Sequence, residues 1–502
     1  MSKFRQKTIT GMGWSVISRL GTKSMELVTG IILARLLSPD AFGLIAMIMV
    51  FSGFANIFRE MGFGAALIQK QDTTSEHHSS IFWLNLATGF FLTLLFIALS
   101  PVIANFYSEP LLIPVIILVS LNFLIGSVSV VQSSLLKKRL EFKRLALVEL
   151  VTLLVSGAVG ITLALLGFGV WSLAWQGVIA TCITVILIWG ISDWRPAMSF
   201  KWAAIKELLG FSMNLIGFSM LNYWARNADN LLIGRFIGTS ALGIYSRAYS
   251  FMLLPLKMVS RTIARVMFPA FSSIQKDKPR VAKIYLRVTT TIALITFPLM
   301  TGLWVVTEHL VLALFGSQWA SMIPIIKIFA VIGMVQSIVS LNGNLYRSQG
   351  RTDLQFKVGL VQSILTVAAF VIGLRWGTVG VAYAYGVYNL LATYPSISIA
   401  TALVKLRFVT IVRNLLGISI CTAVMGVAVW LCGLWLPGNW PHWGYLLFQV
   451  PVGLIVYIML IHSYKIKAYE DIREVVKEYW QSHRKPKAPQ AKSADAEATV
   501  QN

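Results

Sequence analysis

Nine basic side chains lie in, or at the edge of, runs apolar enough to cross a bilayer: Arg19, Lys23, Arg59, Arg226, Arg247, Lys257, Arg261, Arg265 and Lys327. Three acids, Glu26, Glu60 and Asp229, stand against them. A charge at the bilayer centre costs at least about 2.5–3.5 kcal/mol, so such residues face a protein interior or a water-filled cavity. Their spacing agrees with that placement. Ser15, Ser18, Arg19, Thr22, Lys23, Glu26 and Thr29 fall on one face of a helix, as do Ser219, Asn222, Arg226, Asp229 and Asn230. Arg247, Lys257, Arg261 and Arg265 fall within an arc of about 80° at 100° per residue. A cavity walled by such faces is cationic and attracts an anion, and arginine forks match phosphate oxygens. Two other readings compete. Lys23 with Glu26, and Arg226 with Asp229, stand at i,i+3 and can neutralise each other. Arg59, Arg261 and Arg265 lie near span ends, where they can snorkel to the headgroups. Glu26 and Asp229 are also the candidates for coupling to a proton or sodium gradient.

The elements that hold these residues follow from hydropathy. The chain is 56% hydrophobic and only 13% charged, where soluble domains carry about 25% charge. Runs of about 20 apolar residues mark spanning helices. Fourteen are predicted, at 10–35, 41–62, 80–100, 112–136, 146–166, 170–190, 208–235, 241–268, 285–306, 322–345, 357–375, 379–402, 411–432 and 443–463. They lack the sustained alternation of barrel strands, so the expectation is an all-α polytopic membrane protein of about 14 transmembrane helices. The net charge of +23 is concentrated on alternate connections and on the tail, while SPD, GFG and LPGNWPHW, on the intervening ones, carry none of the lysines or arginines. That is the positive-inside pattern. It places both termini in the cytoplasm and explains the basic balance by the lipid bilayer rather than by nucleic acid. The first apolar run carries Arg19, Lys23 and Glu26 and reads as a retained helix, not a signal peptide.

The chain says things twice. IFREMGFGAALIQK (57–70) and IARVMFPAFSSIQK (263–276) share Ile57/Ile263, Arg59/Arg265, Met61/Met267 and Ile68-Gln69-Lys70/Ile274-Gln275-Lys276. IILARLLSPDAFGLI (31–45) aligns with LLIGRFIGTSALGIY (231–245), keeping Arg35/Arg235 and Gly43/Gly243. Ile113-Pro114 then meets Ile323-Pro324, Lys137 meets Arg347, LEFK (140–143) meets LQFK (354–357), and Gly169-Val170 meets Gly380-Val381. Each copy holds an even number of spans, so both enter the membrane in the same orientation, related by a pseudo-two-fold along its normal. The expected organisation is a six-helix lobe at 1–200, a second at 201–404, two further helices at 405–464, and a cytoplasmic amphipathic helix with a disordered tail at 465–502. Arg35, Arg235 and Arg375 read as span-end anchors, and Gln132 and Asn342, equivalent in the two copies, as helix–helix hydrogen bonders. Pro255, Pro298 and Pro395 read as kinks.

Other chemistries find little support. Cys182, Cys421 and Cys432 sit in apolar runs with no metal or disulfide spacing. Glu76, His77 and His78 are sequence neighbours, a poor ligand set. There is no Walker A motif and no dinucleotide loop, and no cofactor is called for. An outer-face glycan polymerase would need acidic or histidine clusters in outer loops, which offer only scattered Asp40, Glu109, Glu308, His309 and His442. A drug/cation antiporter would want an acidic cavity. The reading is therefore a transporter, not an enzyme.

The stretch GMGWSVISRLGTKSMELVTGIILARLLSPDAFGLIAM (11–47), followed by MGFGAALIQKQD (61–72), resembles the polysaccharide exporter branch of the multidrug/oligosaccharidyl-lipid/polysaccharide (MOP) flippase superfamily. Within it the chain looks like the Wzx-type O-antigen flippases and colanic acid exporters. The likeness extends over about residues 1–460. It implies two six-helix lobes around a V-shaped, cationic cavity. It also implies alternating-access transfer of an undecaprenyl-diphosphate-linked glycan across the bacterial inner membrane, alongside a polysaccharide polymerase and export machinery. Lipid II flippases share the fold, so the resemblance does not fix the sugar.

Overall fold

The computed structural model describes residues 21–60, 64, 67–68, 72–466, 468–470 and 473–474. Arg19 and most of the expected tail lie outside them, and the side chains of Glu60, Ser219, Asn222, Arg261 and Arg265 are likewise outside the description. All elements among the described residues are helices, because a bilayer offers no hydrogen-bond partner to an open backbone. They run α1 (21–36), α2 (Pro39–Glu60), α3 (Ser75–Tyr107), α4 (Leu112–Ser127), α5 (Val130–Lys138), α6 (Phe142–Leu165), α7 (Val170–Ile191), α8 (Trp202–Phe236) and α9 (Thr239–Pro255). A π turn (Leu256–Ser260) leads into α10 (Arg261–Ser273), then α11 (Lys278–Leu314), α12 (Met322–Val339), α13 (Asn342–Ser348), α14 (Thr352–Gly373), α15 (Gly377–Ala402), α16 (Phe408–Trp435) and α17 (His442–Ser463).

Among the described residues, nine helical stretches are long and apolar enough to span, or ten with the bent pair α4–α5. One of these, Thr352–Ala402, contains both α14 and α15. The remaining three of the expected fourteen, α1, α8 and α9–α10, carry most of the intramembrane charges, with Arg59 on α2 and Lys327 on α12. Their polar faces mark them as helices facing protein rather than lipid.

Two expected spans are not continuous. The fourth breaks at 128–129 with a bend of 46° between α4 and α5, and its counterpart breaks at 340–341 between α12 and α13. A serine beside each break bonds back into its helix: Ser127 Oγ donates to Leu124 O at 2.6 Å, and Ser340 Oγ to Ser337 O at 2.6 Å. Pro255 has no N–H to give, and the π turn follows it directly. Caps set the other ends. Asp277 accepts from Arg280 N at 3.1 Å at the start of α11. Thr74 and His77 form a capping box at the start of α3, which gives His77 a structural role.

The largest apolar core joins the two halves of the chain. Leu33, Met47 and Phe123 pack with Leu242, Tyr245, Trp319 and Phe329. Helices α2 and α9 cross there at a pair of equivalent glycines. A methyl on Gly43 would lie 1.8 Å from Thr239 O, and one on Gly243 would lie 2.0 Å from Pro39 O. No other residue permits backbones that close. Beside the crossing, Thr239 Oγ1 donates to Asp40 Oδ1 at 3.0 Å. Deeper in the bundle, Phe51 and Phe54 pack on Trp224, and Tyr223 OH donates to Val50 O at 2.7 Å. At the crossover, 192–201, Ser79 Oγ accepts from Ala197 N at 3.1 Å and Ser80 Oγ from Lys201 N at 2.9 Å. A second core packs α16 and α17 against α11, with Ile292, Ile418 and Tyr457 at its centre. Ile466 and Tyr469 also pack on it.

The crossing predicts a contrast. Gly243→Val should destabilise the purified protein by about 1–3 kcal/mol through overpacking, read as a lower midpoint of thermal unfolding in detergent. Gly177→Ala, where the added methyl meets nothing within 4 Å, should leave it unchanged.

Candidate functional site

Axial position follows from the rise of about 1.5 Å per residue. Counting from the base-poor end of each helix, Glu26, Arg226 and Arg247 lie about 12–15 Å deep, Lys23 about 20 Å, and Arg59 and Lys257 about 27–30 Å. The cations therefore form a ladder from mid-membrane to the basic end rather than one cluster.

Lys23 and Glu26 pair with each other, and both are about half exposed. Asp229 is buried. Its Oδ2 accepts from Tyr245 OH at 3.2 Å and its Oδ1 from Asn230 N at 2.8 Å. No salt bridge joins it to Arg226, so the i,i+3 pairing expected there does not form. Arg226 is exposed to a chamber of about 380 Å³ in the C-terminal half, and Asp229 reaches the same chamber. Tyr249, Gln336, Gln362 and Tyr385 line it too. Gln336 Nε2 donates to Tyr385 OH at 2.8 Å and to Asn389 Oδ1 at 3.2 Å, which fixes the far wall. Arg226 is thus a guanidinium at mid-depth with neither a hydrogen bond nor a salt bridge among the described residues, while the groups around it are held by one another.

The other cations are engaged. Arg247 lies over the face of Phe42, its Cζ 4.0 Å from the ring centroid, so it braces α9 against α2. Arg59 donates to Asn122 O at 3.3 Å, between α2 and α4. Lys257 sits exposed on the π turn. Arg261 and Arg265 start and continue α10, towards the basic end. Lys327 stands apart from the chamber, its Nζ 5.7 Å from the ring centroid of Trp304 on α11. Asn342 behaves as expected of a helix–helix linker, accepting from Tyr285 OH at 2.8 Å and donating to Ser396 O at 3.0 Å. Gln132 does not. Its amide is buried with no hydrogen-bond partner.

Sequence reading missed Tyr245, Tyr249, Gln336, Tyr385 and Asn389. Their signal was present: Gln336 is the one amide side chain of α12 (Met322–Val339), and YAYGVYN (383–389) sets tyrosines and an asparagine within an apolar span. Among the described residues no group of three or more His, Cys, Asp or Glu is placed to hold a metal.

Comparison with known proteins adds the following. A family model described as polysaccharide biosynthesis protein matches residues 32–324. The chain is 28% identical over 481 residues to the teichuronic acid biosynthesis protein TuaB of Bacillus subtilis, covering 93% of this chain and 97% of that one. It is 27% identical to the lipopolysaccharide biosynthesis protein WzxC of Escherichia coli, covering 86% and 85%. With the succinoglycan biosynthesis transport protein ExoT of Rhizobium meliloti it shares 30% identity over 73% and 74%. In fold it superposes on the lipid II flippase MurJ, inward closed conformation, with a TM-score of 0.73 at 15% identity over 91% of this chain and 99% of that one. An inward-facing multidrug resistance MATE family transporter of the MOP superfamily gives a TM-score of 0.59 at 13% identity, over 76% and 95%.

Two substitutions separate structure from ligand binding. Tyr245→Phe removes a donor from buried Asp229 and should cost about 1–3 kcal/mol of stability. Arg226→Ala should leave thermal unfolding within about 0.5 kcal/mol of the parent, as for surface positions with no partner to lose.

Proposed function

Because the chain belongs to the polysaccharide biosynthesis and export family of the MOP superfamily, a family of membrane transporters and not of enzymes, we propose that it flips an undecaprenyl-diphosphate-linked glycan from the cytoplasmic to the periplasmic leaflet of a bacterial inner membrane. Both termini are cytoplasmic in this reading, and the basic end of the bundle is the inner one. Residues 1–200 and 201–404 act as the two rocking lobes. The observation that carries the proposal is Arg226, a mid-membrane guanidinium whose bonding capacity is left open. Keeping a charge there is costly, and an anionic headgroup repays that cost when it binds. In this reading Lys257, Arg261 and Arg265, nearer the basic end, and Lys23 on α1 are the further cations along the path. Arg247 and Arg59 position helices, and Lys327 lies outside the binding path.

Relatives named for teichuronic acid, lipopolysaccharide and succinoglycan support a glycan cargo. An exopolysaccharide such as colanic acid or an O-antigen repeat is the class we assign, handed on to polymerase and export machinery. The fold is shared with MATE transporters, but a cationic wall suits a diphosphate better than a cationic drug. We assign ion coupling to Asp229 rather than Glu26, because Glu26 forms a salt bridge with Lys23, while the hydrogen bonds to Asp229 come from neutral donors.

In cells that lack this protein yet assemble the lipid-linked repeat unit, single repeat units should accumulate in the cytoplasmic leaflet. Complementation with Arg226→Ala should lower their transfer about tenfold, the loss expected for one charge-assisted contact, and Arg226→Lys should restore part of it. The readout is the leaflet and length of extracted lipid-linked sugars. Single units already on the periplasmic side in the deletion strain would refute flipping.

A further inference from the structure

The arginines that end the first helix of each half, Arg35 and Arg235, occupy equivalent positions in the repeat. Their contacts are reciprocal across the molecule. Arg35, on the last turn of α1, sends Nη1 to Ala313 O at 2.7 Å, on the last turn of α11 in the other half. Arg235, on the last turn of α8, sends Nη1 to Ser108 Oγ at 3.2 Å, the residue that caps α3 in the first half. Its Cζ also lies 5.6 Å from the ring centroid of Phe106. Each guanidinium therefore covers the C-terminal end of the third helix of the opposite half. Helix C-termini carry unpaired carbonyls and partial negative charge, which suits a cation at that place.

The same junction is reinforced on one side. Trp319 Nε1 donates to Ala34 O at 2.7 Å, and Gln318 Nε2 donates to Ala34 O at 3.0 Å, so the loop after α11 takes up the free carbonyl end of α1. These bonds stand around the Gly43/Gly243 crossing, at the base-poor end of the bundle. None of them reaches the chamber or the ladder of cations.

We propose that Arg35 and Arg235 form a two-point latch that holds the halves shut at the base-poor end, and that both points release in each transport cycle. They are positioning residues, not substrate ligands. The logic is geometric. Alternating access requires the closed end to open. The apolar crossing alone is non-directional, whereas two arginine-to-helix-end contacts have one register and are either made or broken. Because the contacts are related by the pseudo-two-fold, one rigid rotation of the halves breaks both. The bonds end on partially exposed groups, so water replaces the lost partners when they part. This inference rests on the alternating-access reading above.

The test is hydrogen–deuterium exchange of the full chain in lipid nanodiscs, comparing the parent with Arg35→Ala/Arg235→Ala. Exchange should rise about fivefold or more, the lower end of conformational couplings, in segments 33–48 and 236–250, and should fall in segments at the basic end, such as 256–273, as that mouth closes. Arg35→Lys/Arg235→Lys, which keeps the charge, should recover part of the shift. No change at either end overturns the latch, and so does a rise at the base-poor end alone, which is local fraying. If the double alanine variant does not fold, Arg235→Ala alone should give the same two-ended pattern at smaller amplitude, and its absence overturns the proposal. The measurement needs no cargo. Failure of the flippase reading would show instead in the leaflet of the lipid-linked sugars, with the exchange pattern intact.

Discussion

Hydrocarbon gives a charge nothing to bind, and the arrangement of this protein follows from that constraint. Each intramembrane cation that the structure describes is either given a partner by the protein or turned towards an enclosed space. Arg247 receives the face of Phe42, Arg59 a backbone carbonyl, Lys23 the carboxylate of Glu26, and Lys327 the ring of Trp304. Arg226 is the exception, and it opens on a polar chamber. Three of the helices that carry these groups, α1, α8 and α9, are too polar to pass as lipid-facing spans, and their polar faces turn to protein. The apolar helices, with exposed residues such as Leu165, Ile186, Leu391 and Trp435, form its outside.

A bundle built this way needs a place where its halves meet without burying charge. That place is the glycine crossing of α2 and α9. Gly43 and Gly243 let two helix starts approach to backbone contact, and large side chains from both halves close over them in one core. The cation ladder climbs away from this end. Contact and charge are thereby segregated along one axis, with the apolar contact at one end and the electrostatic work from mid-depth to the other.

Much of this was legible in the sequence, for identifiable reasons. Span positions follow from the length a bilayer demands, and the polar faces of α1 and α8 follow from residues three and four apart. The Lys23–Glu26 pair follows from the same spacing. What was not legible depends on partners far along the chain. Lys327 reads as one more cavity cation until Trp304, on another helix, is beside it. Arg226 and Asp229 read as an ion pair until Tyr245 takes the carboxylate. The breaks at 128–129 and 340–341 carry no proline or other signal in the sequence, since serines are ordinary residues in a membrane helix. Arg35 and Arg235 read as anchors to the headgroups, and only the packing of opposite halves reveals that each anchors a helix end instead.

The repeat also shows that the halves do not share the work equally. Offsets of 200 to 211 residues relate Glu26 to Arg226, Thr29 to Asp229, Ile45 to Tyr245, Met49 to Tyr249, Gly126 to Gln336, Ala174 to Tyr385 and Val178 to Asn389. The hydrogen-bonded wall of Gln336, Tyr385 and Asn389 thus has no polar counterpart in the N-terminal half, where Ala174 and Val178 are buried apolar packing. Buried polar groups are costly unless each finds a partner, and a duplicated site doubles that cost. The sign reversal between Glu26 and Arg226 fits the same division: on the N-terminal face Lys23 is paired with Glu26, and on the C-terminal face Arg226 lines the chamber with no salt bridge among the described residues. Pseudo-symmetry in this protein belongs to the scaffold and to its contacts at the base-poor end, and the polar wall of the chamber is what departs from it.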